Sequence, residues 1–243
     1  MTEEYRVPLG VRISRRIMRV FFKTLFHLLG RVKLSGLENI PEHNRYVIVF
    51  NHVSLVEVPF IAAFWPGIIE IIGALAVWGR GYQGLIARMW AGIQVDRTQF
   101  DRKVFKQVEQ VLKAERPLMI SPEGGRSHQP GLRRGKPGVA YIIDMADVVV
   151  LPVAVVGNTY DFLTKGVRLQ RPTIEMIVGE PFKLPPVKGR GEERRVNRQK
   201  NTDYIMARLA ALLPEEYRGI YADFESILAG NLDSLSIKLT PEE

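Results

Sequence analysis

The 243-residue chain contains no cysteine. This absence excludes disulfide bonds, a thiol nucleophile and any cysteine-ligated zinc site. The sequence also lacks the G-x-S-x-G pattern that presents a nucleophilic serine on a strand-to-helix turn, so we expect no covalent acyl-enzyme. Nothing in the remaining composition requires a metal ion or another cofactor. The start, "MTEEYRVPLGVRISRR", lacks the apolar core and the cleavage site of a signal peptide.

Acidic residues are missing from one long segment near the N-terminus. Between Tyr5 and Leu37 there is no Asp or Glu, whereas eight Lys and Arg residues occur there. The whole chain has 34 Lys+Arg and 26 Asp+Glu, so the net charge of +8 equals the charge of this segment. A positive charge confined to one end differs from the footprint of a nucleic-acid-binding protein, and we expect no nucleic-acid partner.

Residues 11–29 predict an amphipathic helix. Its apolar positions recur at helical spacing and are Ile13, Ile17, Val20, Phe21, Leu25 and Leu28, with basic residues over much of the rest. Such a helix is typical of segments that lie in an anionic membrane interface. We therefore expect residues 1–30 to hold the protein, as a peripheral or monotopic protein, on the cytoplasmic face of the cell membrane. The alternative is a helix packed on the domain with a solvated basic face.

A second apolar run, residues 58–79, is long enough for a membrane span. Pro59, Pro66 and Gly67 interrupt it, and Glu70 places a charge near its centre, where a charge is costly. The run therefore predicts a buried helix over about 57–65, a turn, and a buried strand near 71–77.

The remaining pattern predicts an α/β fold with a mainly parallel, mixed sheet flanked by helices. Apolar strands are predicted at 46–50, 117–121, 148–156 and 173–178, with helices at 100–114 and 136–145 between them. Residues 186–201 predict a polar loop, and residues 202–213 predict a closing helix. The domain is expected to cover 31–225, with a weakly patterned tail over 226–243.

Three segments combine residues suited to chemistry. In "NHVSLVE", Asn51 and His52 follow a predicted strand, and Glu57 stands where its carboxylate can fold back onto the histidine ring and fix its orientation. In "SPEGGRS", residues 121–127, two glycines precede an arginine suited to phosphate. In "AGIQVDR", a short strand-like piece ends in Asp96 and Arg97. Taken singly, these segments are equally consistent with a structural hydrogen bond, a plain turn and a surface ion pair.

Two other segments resemble nucleotide-binding patterns only superficially. "GRGYQG", residues 79–84, matches G-x-G-x-x-G, but its following helical run is short and its acid, Asp96, lies 17 residues after Gly79. "GLRRGKP" contains Gly-Lys, but Pro130 and Pro137 stand where a phosphate-binding loop needs glycine and Ser or Thr.

In their order, the three segments resemble the glycerophospholipid acyltransferase family, most closely the bacterial 1-acyl-sn-glycerol-3-phosphate acyltransferases. "NHVSLVE" is similar to the family's N-H-x-S-x-x-D, and "SPEGGRS" is similar to F-P-E-G-T-R-S. "GIQVDR" resembles G-x-x-F/V-x-x-R, and "VVVLPVAVV" resembles a fourth motif centred on a proline, here Pro152. The resemblance covers about residues 31–220.

The resemblance implies an enzyme that moves a fatty acyl group from acyl-CoA or acyl-carrier protein to the free hydroxyl of lysophosphatidic acid. His52 would be the general base and Glu57 its orienting group, with direct attack on the thioester. The acceptor phosphate would be held by Arg97, Glu123, Gly124, Gly125 and Arg126, with support from Asn51, Ser54 and Ser127.

Three departures from the family pattern leave alternatives open. Glu57 replaces Asp, Gly125 replaces Thr and Ser121 replaces Phe. The same chemistry on a different lysolipid acceptor is one alternative, and an inactive lipid-binding protein of the same fold is the other.

Overall fold

The computed structural model describes residues 5–96 and 101–230. Within those ranges seven strands form one sheet of order β1-β7-β6-β2-β5-β3-β4. The strands are β1 (Arg31–Ser35), β2 (Tyr46–Phe50), β3 (Glu70–Ala74), β4 (Ile93–Val95), β5 (Leu118–Ile120), β6 (Val149–Val156) and β7 (Thr173–Val178).

Helices connect and cover these strands. They are α1 (Leu9–Leu29), α2 (Glu57–Phe64), α3 (Gly81–Trp90), α4 (Arg102–Lys113), α5 (Gly138–Ala146), α6 (Phe162–Val167), α7 (Gly191–Ala210), α8 (Glu215–Arg218) and α9 (Phe224–Leu228). Short 3-10 turns cover Leu37–Asn39, Leu75–Gly79 and Gly219–Tyr221. Across residues 5–96 and 101–230, no helix is both long and apolar enough to cross a bilayer.

The sheet is mixed but mainly parallel. Strands β6, β2, β5, β3 and β4 run in one direction, while β7 is antiparallel to β6 and β1 is parallel to β7. The carboxyl ends of β2 and β5 therefore lie side by side at one edge of the sheet. The predicted α/β fold with a mainly parallel, mixed sheet flanked by helices is confirmed.

Strand β2 is buried along its whole length because helices cover both faces of the sheet. Tyr46, Ile48 and Phe50 point to one face, where α1 and α2 supply the core. Val47 and Val49 point to the other, where α4 and α5 pack. The period-2 alternation of side chains makes both sets apolar, which explains why the strand reads as a continuous apolar run.

The structure corrects several predicted boundaries. Helix α7 begins at Gly191, so the predicted loop over 186–201 is wrong from residue 191 onward. The first half of α7 is mostly exposed, and its Glu, Arg, Gln and Lys residues favour a helix without giving an apolar face. The strand predicted near 71–77 ends at Ala74 and continues as a 3-10 turn. Strand β1, a mostly exposed edge strand, was not predicted.

The predicted tail over 226–243 begins inside α9, whose Ile227 is buried against α7. The part of the tail after residue 230 lies outside the described residues.

Helix α1 has three faces. One buries Met18 and Phe26 in the core shared with α2. A second exposes an apolar stripe of Leu9, Ile13, Ile17, Val20, Phe21 and Leu28. Between these two faces, at 100° per residue, runs a basic stripe of Arg12, Arg16, Arg19 and Lys23. A helix of a soluble domain normally buries its apolar stripe, and α1 instead leaves its larger apolar stripe uncovered.

One arginine of α1 does not join the basic stripe. Arg15 is fully buried and makes two hydrogen bonds to Glu70, with Nη1 to Oε1 at 2.8 Å and Nη2 to Oε2 at 2.6 Å. Arg116 donates from Nε to the same Oε1 at 2.7 Å. Burial alone would raise the pKa of Glu70, but the hydrogen bonds and charges of Arg15 and Arg116 hold it below its usual value. These contacts tie α1 to the start of β3.

We expect Arg15→Met to lower the free energy of unfolding by about 3–5 kcal/mol, because it leaves a buried carboxylate with one partner fewer. Urea unfolding at neutral pH measures this loss. Arg16→Met, which removes an exposed charge from the next position, should change stability by no more than about 0.5 kcal/mol.

The pH dependence of Arg15→Met provides a second check. Because the folded pKa of Glu70 is lowered, the contribution of the pair is present above its unfolded pKa and is lost as the pH falls through the folded value. The gap between wild type and Arg15→Met should therefore narrow in acid. A gap that is independent of pH would contradict this account.

Candidate active site

Two loops meet at the carboxyl edge of the sheet. His52 follows β2, and the segment 121–127 follows β5, its parallel neighbour. Backbone hydrogen bonds join the loops, from Ser127 N to His52 O at 2.7 Å and from His128 N to Val53 O at 3.1 Å. The structure therefore brings the first and third predicted motifs into one site.

Asn51 fixes the position of the first loop. Its buried side chain donates to Val155 O at 2.9 Å and accepts from Val155 N at 2.7 Å. It thus continues the pairing of β2 with β6 by one residue, which holds the following His52 at the edge of the sheet. The Asn51 side chain thus contacts backbone groups of β6 and does not line the cleft described below.

Glu57 is fully buried at the first position of α2. Its Oε1 accepts hydrogen bonds from Val53 N at 2.8 Å, Ser54 N at 2.6 Å and Asn158 Nδ2 at 2.6 Å. Its Oε2 lies 3.3 Å from His52 Nδ1. Three donors on one oxygen therefore fix the carboxylate so that the other oxygen faces the imidazole.

In this arrangement Nδ1 of His52 faces Glu57, and the second ring nitrogen, Nε2, is not engaged by that carboxylate. With Nδ1 facing the carboxylate, the tautomer that donates from Nδ1 presents the lone pair of Nε2. The His52 side chain is 19% exposed and lines the cleft described below. A separation of 3.3 Å is long for a hydrogen bond, and such contacts shorten when a substrate binds.

Glu123 corrects one predicted role. Its carboxylate is buried and points inward, accepting from His52 N at 3.0 Å and from Arg133 N at 3.0 Å. Burial raises the pKa of Glu123, and these two hydrogen bonds oppose the rise. The carboxylate thus holds the loop after β2 in place and does not line the cleft, because both of its oxygens already accept backbone N–H groups.

Five residues of the third motif line a cleft of about 570 Å³, namely Ser121, Pro122, Gly124, Gly125 and Arg126. Ser127 does not line it, and its hydroxyl donates to Gln129 O at 2.6 Å. Gly124 has a left-handed φ of +69°, and a Cβ there would crowd the Lys136 side chain at 3.2 Å. Gly125 and Arg126 follow along the same wall. The turn thus favours glycine at 124, and Arg126 lines the same cleft as His52.

Arg97, the arginine predicted from the second motif, lies outside the described residues. Asp96, which precedes it, lines the same cleft.

Three residues that we did not predict belong to this site. Asn158, fully buried after β6, donates to Glu57. Lys136 lines the cleft opposite Gly124. Tyr160 accepts from Arg126 Nη1 at 3.5 Å and lies 2.6 Å from His128 Nδ1, with the two rings stacked. The only signal for Lys136 was the "GKP" run, which fails as a phosphate-binding loop but still carries a cation.

One of the two rejected nucleotide patterns does not follow a strand in the structure. "GRGYQG" follows a 3-10 turn and enters α3, so no strand leads directly into it.

Within residues 5–96 and 101–230, no three His, Asp or Glu side chains are grouped to hold a metal ion.

A family model described as "Acyltransferase" matches residues 31–156, which is more than half of the chain. The chain belongs to the glycerophospholipid acyltransferase family. The matched range of this acyltransferase runs from β1 to the end of β6 and contains both motif loops.

Named relatives agree with this assignment. The acyltransferase is 27% identical over 156 residues to human 1-acyl-sn-glycerol-3-phosphate acyltransferase alpha, a match covering 63% of this chain and 55% of that protein. The corresponding cattle protein is also 27% identical over 156 residues, covering 63% and 54%. The chain thus matches about half the length of these relatives.

A solved structure shares the fold. It is that of the 1-acyl-sn-glycerophosphate (LPA) acyltransferase PlsC from Thermotoga maritima, with a TM-score of 0.57 and 21% identity. The alignment covers 80% of this chain and 79% of that chain.

We expect Asn158→Leu to slow acyl transfer about ten- to a hundredfold while the KM values stay within about twofold. The lost bond is charge-assisted and is worth about 1.5–3 kcal/mol, and it acts on the group that orients the base. Steady-state kinetics measure the split between kcat and KM. Asn39→Leu is the matched control, because Asn39 also donates from its side-chain amide, but to a backbone carbonyl, Val178 O, and not to Glu57.

Asn158→Asp separates positioning from packing. It keeps the shape but places a second carboxylate against Glu57, and a protonated Asp can again donate. Activity relative to wild type at the same pH should therefore recover as the pH falls. Identical pH profiles for Asn158→Asp and wild type would contradict a positioning role.

Proposed function

We propose that the protein transfers a fatty acyl group from an acyl thioester, acyl-CoA or acyl-carrier protein, to the free hydroxyl of lysophosphatidic acid. The observation that carries this proposal is the His52–Glu57 pair at the mouth of a mainly apolar cleft that also presents Arg126. The relatives are named as enzymes that act on the same class of acceptor.

The cleft has two parts that suit the two ends of such substrates. Away from His52 it is walled by apolar side chains of α1, α2 and α3, among them Phe22, Val58 and Ile86. This wall can bury an acyl chain. The same cleft carries Arg126 and Lys136, whose side-chain types are the usual ligands of phosphate groups and therefore suit the acceptor phosphate.

The proposed reaction needs no covalent enzyme intermediate. Nε2 of His52 takes the proton from the acceptor hydroxyl as its oxygen attacks the thioester carbonyl. The C–S bond then breaks, and the imidazolium returns the proton to the departing thiolate. Glu57 holds the ring and stabilises its transient positive charge. Holding the two substrates together supplies much of the rate.

Membrane attachment by α1 completes the proposal, because the acceptor is a membrane lipid. The exposed apolar stripe of α1 continues onto α3, whose Tyr82, Leu85 and Met89 are also exposed, and Ser14 Oγ of α1 donates to Met89 O at 3.0 Å. This surface suits insertion into the acyl region of a bilayer interface, with basic residues beside it for anionic headgroups. We assign it to the cytoplasmic face, where both thioester donors would be available.

We expect His52→Ala to abolish measurable transfer, with a loss of at least about a thousandfold, because the variant lacks the base. Mass spectrometry with acyl-CoA and acyl-carrier-protein donors and a panel of lysolipids measures product. Arg126→Ala should raise KM for lysophosphatidic acid more than for an uncharged monoacylglycerol. Transfer by His52→Ala at the wild-type rate would contradict the proposed mechanism. If the protein acylates only a different lysolipid, that lysolipid and not lysophosphatidic acid is its acceptor.

We expect Ile17→Glu/Phe21→Glu to weaken binding to phosphatidylglycerol vesicles by at least about tenfold, since two side chains that are 61% and 59% exposed would lose their burial in lipid. Vesicle co-sedimentation measures this. Val196→Glu, at an exposed apolar position of α7, is the control and should bind as wild type does. Equal loss in both proteins would show that added negative charge, and not the apolar stripe, accounts for the effect.

A further inference from the structure

A second cleft lies beside α1, away from the catalytic edge. It has a volume of about 390 Å³ and is lined by the basic stripe of α1 together with Ala63, Ile68 and Arg116. Arg116 precedes β5 and Ile68 precedes β3, so the cleft opens at the amino edge of the sheet. His52 and Arg126 stand at the carboxyl edge. The second cleft is therefore a different place from the proposed acceptor site.

The positive charge in this cleft is only partly balanced by acids of the described residues. Among the described residues, Glu70 is the acid in contact with its lining, and its oxygens already receive Arg15 and Arg116. Arg12 and Arg16 make no side-chain hydrogen bond or ion pair with any described residue. Two cations therefore stand in a concave site with no carboxylate of the described chain to accept from them.

Arg19 adds a partly buried cation to the wall between the two clefts. One of its terminal nitrogens donates to Trp65 O, while its buried Nε has no partner within the described chain. Burial lowers the pKa of this guanidinium. Lys23, one turn further along α1, lies with Nζ 5.6 Å from the centre of the Phe64 ring. An anion in the cleft would offset the cost of holding these charges together.

The surroundings of the cleft favour a lipid over a free anion. The apolar stripe of α1 begins at the helical positions next to Arg12 and Arg16, and it includes Leu9, Ile13 and Val20, exposed by 68%, 52% and 63%. A phosphate held by the arginines would place attached acyl chains along this stripe. A soluble phosphate would gain only the charge contacts.

We propose that the cleft between the basic stripe of α1 and Arg116 binds the phosphate of one anionic phospholipid, whose acyl chains lie on the apolar stripe. This inference rests on the proposed membrane attachment and adds a discrete headgroup site to it. The ligand is a resident lipid of the membrane and not the acyl acceptor, because the cleft lies at the edge of the sheet opposite to His52.

Calorimetric titration with monomeric short-chain phosphatidylglycerol tests the site without a bilayer. We expect saturable binding of one lipid per chain and no binding of inorganic phosphate at the same concentration. In Arg12→Gln/Arg16→Gln the affinity should fall at least about tenfold, since two charge-assisted contacts are lost. The matched control is Arg31→Gln/Lys33→Gln, which removes the same charge from the exposed strand β1 and should bind within about twofold of wild type.

Several outcomes would overturn the proposal. Equal losses in the two double variants would mean diffuse attraction with no site. Binding of inorganic phosphate as tight as that of the lipid would assign the cleft to a free anion. Loss of acyl-carrier-protein binding in Arg12→Gln/Arg16→Gln, with lipid binding intact, would assign it to a protein donor.

Failure of the membrane proposal has a separate signature. Unchanged vesicle binding by Ile17→Glu/Phe21→Glu would reject attachment through the apolar stripe. The titration with short-chain lipid would still report on the cleft. Turnover of soluble short-chain substrates should be the same in Arg12→Gln/Arg16→Gln and wild type, because neither arginine lines the catalytic cleft.

Discussion

The Glu57 carboxylate is the contact on which the catalytic edge depends. It joins three pieces of chain, namely the end of β2 through Val53 and Ser54, the start of α2, and the turn after β6 through Asn158. A shorter Asp at this position would have to give up reach toward either the histidine or the asparagine. The extra methylene of Glu lets one oxygen take three donors while the other faces His52. The Glu57 side chain, one methylene longer than the Asp of the family pattern, therefore contacts both Asn158 and His52.

Two further polar side chains near Glu57 hold the loops of the site in place. Glu123 and Asn51 belong to the motif segments. Their side chains form hydrogen bonds with backbone groups of the loops and of β6. The site is thus built by acids and amides that hold the backbone. The side chains of His52, Arg126 and Lys136 line one cleft, and they are the groups that we propose to face the substrate.

The sequence was sufficient where the evidence is local. Apolar runs predicted β2, β6 and β7, and the spacing from His52 to Glu57 predicted their approach, because five residues across a helix start keep two side chains close. It was insufficient where the evidence depends on strand order. Asn158 reaches Glu57 only because β6 lies beside β2. No pattern in the sequence near residue 158 indicates that these two strands are neighbours. The start of α7 was missed because a solvated helix has no apolar period to detect.

Arg15 has a consequence for geometry as well as for stability. A helix that rests on a bilayer can roll about its own axis, and each roll would point a different side of the attached domain at the lipid. By hydrogen bonding to Glu70 and Trp90, Arg15 acts with the buried Met18 and Phe26 to remove that freedom. If α1 lies on the membrane, these contacts set the orientation of the domain relative to the bilayer, and with it the height of His52 above the hydrocarbon.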